Sequence, residues 1–82
     1  MVKGMIVMNE KQIKLQSRQE VQDFVQAAVK CNFDIDISYD RVIIDAKSFL
    51  GVLGLGVSRV LTVTYSGLNN EFENTVQKYV VA

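Results

Sequence analysis

The chain has 82 residues, 49% of them apolar, which is ample for one core although domains of this size are marginally stable, so a single domain over residues 1–82 is expected. Nine basic and nine acidic residues cancel. This removes any overall electrostatic case for nucleic acid or an acidic membrane surface and points to a protein or small molecule as partner. The one cysteine, Cys31, has no second cysteine or histidine beside it anywhere in the sequence, so an internal disulfide and the usual zinc sets are excluded and a cytoplasmic chain is expected.

Residues 2–8 are rich in β-branched residues and methionine and read as a first strand, broken by Asn9, Glu10 and Lys11. A polar connection is expected up to about Gln16. Ser17-Arg18-Gln19-Glu20 has the form of a capping box, and Val21, Phe24, Val25, Ala28 and Val29 recur at i, i+3, i+4, i+7 and i+8, the spacing of one helical face. Cys31, just past that helix, reads as a half-buried filler. Phe33, Ile35, Ile37 and Tyr39 alternate with Asp34, Asp36 and Ser38, as a strand with one wet face requires. Asp40 and Arg41 turn this strand into a third over residues 42–45. A fourth strand is expected over residues 60–65, ended by Gly67, Asn69 and Asn70. Asn70 with Glu73 then caps a last helix whose Phe72, Val76, Tyr79 and Val80 share a face.

Between the third and fourth strands lies the most apolar and most oddly punctuated stretch, residues 45–57. Ser48 is suited to cap a short helix filled by Phe49, Leu50, Val52 and Leu53. A helix packed on one side offers an apolar stripe of only about 100°, so these side chains cannot all face a core and some must reach solvent or a partner. Gly51, Gly54 and Gly56 lack the lysine and hydroxyl residue of a phosphate loop, and they read as helix terminators that permit close packing. The apolar run over residues 49–57, interrupted by three glycines, is too short to span a membrane. The start of the chain lacks a signal-peptide pattern.

Catalytic chemistry finds no support in the sequence. Ser17 has no histidine to act as its base, so it reads as a capping residue. Asp34, Asp36 and Asp40 do not have the spacing of a calcium loop and read as the solvated face of a strand. No metal or cofactor is implied, and no acid and base pair or nucleophile constellation suggests an enzyme.

The element order strand, helix, strand, strand, helix, strand, helix gives an α+β sandwich with helices on one face of an antiparallel sheet. Lys47-Ser48-Phe49-Leu50-Gly51-Val52-Leu53, followed by Leu55-Gly56-Val57, resembles the HPr family, the small phosphocarriers of the bacterial sugar phosphotransferase system. The likeness extends back through residues 25–28 and the alternating strand over 33–39, and it resumes at Tyr65-Ser66-Gly67. It implies a two-layer open-faced sandwich, βαββαβα, with a four-stranded antiparallel sheet. It also implies that Ser48 is a regulatory phosphorylation site and that Lys47, Phe49, Leu50 and Leu53 dock partner proteins.

One departure from the family is large. The phosphoryl group of HPr is carried on a histidine at the start of the first helix, and this sequence has no histidine. An ungapped match places Ser17 at that position, and a one-residue shift places Gln16 there. A serine phosphate is a stable ester and a glutamine amide is not a useful nucleophile, so neither replaces histidine. Two readings follow. The first is an HPr-like regulatory or adaptor protein acting with a serine kinase or a transcription regulator of the sugar-utilisation system. The second is a docking module that uses the helix at 48–54 on an unrelated partner and has lost every phosphotransfer role.

Overall fold

The computed structural model describes residues 8–81. In chain order its elements are β1 (Asn9–Lys14), α1 (Arg18–Val29), β2 (Ile35–Tyr39), β3 (Val42–Asp45), α2 (Phe49–Leu55), β4 (Val60–Tyr65) and α3 (Asn70–Gln77). The expected order βαββαβα is therefore observed, and the strands form one antiparallel sheet ordered β1-β4-β2-β3. The hairpin of β2 and β3 is local. Pairing of β4 with both β1 and β2 brings distant segments together in the middle of the sheet.

Alternation along the strands sends Ile13, Ile35, Ile37, Leu61, Val63 and Tyr65 to the helix side, where all are buried. Against them α1 contributes Val21, Phe24, Val25 and Ala28, α2 contributes Val52 and Leu55, and α3 contributes Phe72 and Val76. The valine, leucine, isoleucine and phenylalanine side chains among these contribute roughly 1.5–3 kcal/mol each on full burial. Phe72 sits at the centre, tilted against Phe24 at 5.9 Å and edge-on to Tyr65 at 5.1 Å. Among the described residues no charged or polar side chain is buried, and no helix is long and apolar enough to cross a membrane.

The first strand differs from its sequence-based expectation. Residues 2–7 lie outside the described residues. Asn9, Glu10 and Lys11, expected to break a strand, are the first rungs of β1, opposite Tyr65, Thr64 and Val63, and residues 12–14 of the expected polar connection are the rest of that strand. The cause is a partner far along the chain. Lys11 stands on the helix side, where its ammonium pairs with the Glu73 carboxylate of α3, a separation of 62 residues. Glu73 also accepts the Tyr65 hydroxyl at 2.7 Å. A core-facing lysine is admissible when its charge is met in this way.

Burial works to raise the Glu73 carboxyl, but hydrogen bonds from Lys11 and Tyr65 outweigh it and hold the group below its ordinary value. The Glu73 hydrogen bond likewise lifts Lys11 above its ordinary value. A carboxylate lowered in the folded state stabilises above its unfolded value, near 4.5, and that contribution is lost as pH falls through the folded value. Glu73→Gln is therefore expected to cost about 1–2 kcal/mol at neutral pH. It should also flatten the fall of stability below pH 4.5. Urea midpoints of both proteins across the acid range test this, and parallel curves would show that the ion pair contributes nothing.

Smaller differences have similar local causes. The cap of α3 is Asn69, not Asn70, since the Asn69 amide oxygen accepts the Phe72 N–H at 2.9 Å. Val29, on the expected apolar face, is exposed at the last residue of α1, while Ala28 beside it is buried. Cys31 is buried rather than half-buried, and burial pushes its thiol up. β2 starts at Ile35, while Phe33 stacks on Tyr65 at 6.1 Å and occupies the space that a side chain at Gly67 would need. Val80 lies beyond α3, in a bridge to Ile13. Together with Val81 N–H to Gln12 O and Lys14 N–H to Tyr79 O, both 2.9 Å, this bridge lays the C-terminal segment along the outer side of β1.

Candidate functional site

The start of α1 is closed by its own residues. The Ser17 hydroxyl accepts the Glu20 N–H at 3.1 Å, and the Ser17 carbonyl accepts Val21 N–H at 3.0 Å. The Glu20 carboxylate reaches one residue further back than in a standard capping box and accepts the Gln16 N–H at 2.8 Å. A fixed anion thus already stands where free N–H groups and the helix dipole would favour an incoming one. Opposite it, the loop after α2 folds back. Ser58 donates its N–H to Leu15 O at 2.7 Å and its hydroxyl to the Gln16 side-chain oxygen at 3.1 Å. These bonds hold Ser58 at φ 65, in the left-handed region uncommon for residues other than glycine. The structure therefore groups Gln16, Ser17, Glu20 and Ser58, with no imidazole among them.

The start of α2 is built differently. Asp45 accepts the Lys47 N–H on its side chain at 2.9 Å and the Ser48 N–H on its backbone at 3.0 Å, and this turn presents Ser48. The Ser48 hydroxyl caps α2 by accepting Gly51 N–H at 3.1 Å, and the residue is exposed. Gly51 is required for close approach, since a Cβ there would stand 2.6 Å from the Ile44 side chain. Gly56, at φ 100, ends the helix, whereas Gly54 faces open space. The four apolar residues separate as a one-sided helix demands. Val52 is buried, Phe49 and Leu53 are half-buried against the core, and Leu50 is 76% exposed. Lys47 is committed elsewhere, its ammonium donating to Cys31 O at 2.9 Å. That bond ties the end of α1 to the start of α2.

The two helix starts share one surface. The Arg18 guanidinium lies over the Phe49 ring at 5.6 Å, and beside it runs a cleft of about 340 Å³ lined by Arg18, Gln22, Val25, Gln26 and Phe49. Neither Arg18 nor Ser58 stands out in the sequence. Each becomes a site residue only through contacts between segments, and the positive φ of Ser58 has no glycine or asparagine to signal it. Among the described residues no group of histidine, cysteine or acidic side chains could hold a metal ion.

No protein-family model matches the sequence, and no curated protein matches it. Solved structures do match. The phosphocarrier protein HPr from Bacillus anthracis str. Ames is 26% identical, with a TM-score of 0.69 over 89% of this chain and 98% of that one. The chain has the HPr-like fold. The HPr-C-His structure from Thermoanaerobacter tengcongensis is also 26% identical, with a TM-score of 0.60 over 89% of both chains. Within the HPr-like fold seen here, the start of α1 carries the Glu20 carboxylate on the Gln16 N–H and Ser58 on the Gln16 side chain, and the start of α2 leaves Ser48 and Leu50 exposed with no acidic side chain in its first turn.

Proposed function

We propose that this chain is an HPr-like regulatory or adaptor protein of the cytoplasm, related to the sugar phosphotransferase system, which docks proteins through α2 and carries no phosphoryl group on histidine. The observation that carries the proposal is the contrast between the two helix starts. At α1, where the resemblance puts Ser17 or Gln16 at the position of the family's phosphohistidine, the Glu20 carboxylate accepts the Gln16 N–H and stands at the anion-favouring end of the helix. At α2 Ser48 is exposed next to Leu50, and Phe49 and Arg18 continue the surface. Phosphate on Ser48 would add about −1.5 to −2 charge at the positive end of α2, which is compatible with the folded helix. The added oxygens would face solvent, where an arginine on a partner reads them and an acidic partner is repelled. The partners in this reading are a serine kinase and a transcription regulator of sugar utilisation.

Two incubations test it. With phosphoenolpyruvate and the upstream phosphotransferase enzyme, no phosphoprotein is expected, and an acid-labile phosphoryl group would overturn the first half of the proposal. With ATP and an HPr-type serine kinase, one acid-stable phosphate is expected on the wild type and none on Ser48→Ala. A wild type left unmodified would favour the second reading, a docking module without phosphorylation. That reading has its own support, because the Ser48 hydroxyl is already engaged as the cap of α2.

A further inference from the structure

The two edges of the sheet are treated differently. The outer side of β1 is occupied by the C-terminal segment through Val81 and Lys14, whereas β3, the opposite edge, has no described partner on its outer side. Of the devices that blunt an edge, β3 has only its shortness, at 4 residues, and the terminal charge of Asp45. It contains no lysine or proline, its register with β2 is unbroken, and Ile43 on it is 68% exposed. Tyr39 and Val42 flank a two-residue turn and form the first hydrogen-bonded pair, so alternation turns the N–H and C=O groups of Ile43 and Asp45 outward.

We propose that β3 pairs antiparallel with β3 of a second copy of this chain, about a two-fold axis through Ile43. In this register Ile43 opposes Ile43 of the second copy, Val42 opposes Ile44, and Arg41 opposes Asp45. The outward backbone groups of Ile43 then meet their counterparts across the axis. The charges select the same arrangement, since residues 41–45 read Arg-Val-Ile-Ile-Asp. Antiparallel self-pairing sets cation against anion at both ends, and parallel pairing would set like against like.

A second observation points the same way. Asp45 stands directly opposite Asp36, and like charges facing across two strands destabilise a sheet. The ion pairs among the described residues, Lys11 with Glu73 and Lys78 with Asp23, give neither carboxylate a cation, and the Asp45 carboxylate accepts only the Lys47 N–H. Arg41 of the second copy supplies the missing cation. Ile43 projects away from the helices, because its neighbour Ile44 is the residue that meets Gly51 of α2, so the pairing does not occupy the α2 surface. About five residue pairs bury less than the roughly 1,200 Å² of a standard interface, which makes this a weak, concentration-dependent pairing.

Sedimentation of the full chain from about 5 µM to about 1 mM covers the micromolar to millimolar range of weak association. The wild type is expected to move from monomer to dimer, less readily as salt is raised. Arg41→Asp should weaken the dimer at least about tenfold, and the charge swap Arg41→Asp with Asp45→Arg should recover most of that loss. Ile43→Lys, at an exposed position, should stay monomeric with an unchanged thermal melt. A wild type that remains monomeric throughout overturns the proposal, including the case in which it binds only other proteins. So does a dimer indifferent to Ile43→Lys, or a charge swap that binds no better than Arg41→Asp alone.

Discussion

Phe72→Ala is expected to lower stability by about 3–5 kcal/mol, a large part of the 5–15 kcal/mol that holds a typical domain folded. The ring is fully buried between three elements: Phe24 of α1 on one side, Tyr65 of β4 on another, and its own helix behind. The cost of a deleted core side chain depends on whether its neighbours can close the space. Here they cannot move freely. Tyr65 is fixed by its strand and by the hydrogen bond from its hydroxyl to Glu73 at 2.7 Å. Phe24 is fixed by α1, which is tied to the C-terminal segment through Tyr79 O–H to Asp23 at 2.6 Å and the Lys78–Asp23 ion pair at 2.8 Å. The hydrogen bonds of Lys78 and Tyr79 hold the Asp23 carboxyl below its usual range. Urea denaturation measures the change, and a loss below about 1.5 kcal/mol would show that the core relaxes around the cavity.

The same network marks where the sequence was readable. α1 could be located because its cap and its apolar face lie within one short window, and the hairpin of β2 and β3 because a two-residue turn joins an alternating run to a short β-branched one. β1 could not. Its strand character comes from β4, some fifty residues away, and its least strand-like residue, Lys11, is admitted by Glu73 on α3. At the candidate site the legible part was again local: Ser48 as a cap, and the limit on how many apolar residues one side of a short helix can bury. Arg18 over Phe49, Ser58 on Gln16 and Lys47 on the end of α1 all join separate segments. Composition and periodicity within any one of those segments carry no trace of the other.

That limit on α2 leads to the other large effect, which is on binding. Leu50→Asp is expected to leave stability within about 0.5 kcal/mol of wild type. It should weaken the docking of a protein partner about a hundredfold or more, the loss expected when a central anchor of an interface is removed. Leu50 is 76% exposed on a helix whose inward positions are filled by Val52 and Leu55, so a carboxylate there stays hydrated. The same carboxylate would meet an apolar partner surface without a counter-charge, and burying it there is costly. Val52→Asp is the matched control. Val52 is fully buried, and a carboxylate at that position is expected to cost at least about 4 kcal/mol by entering the core unpaired. A pull-down with the wild type and both variants, run beside thermal melts, separates packing from docking. If Leu50→Asp retains the partner that the wild type retains, α2 is not the docking element. If it melts as early as Val52→Asp, the side chain serves the core.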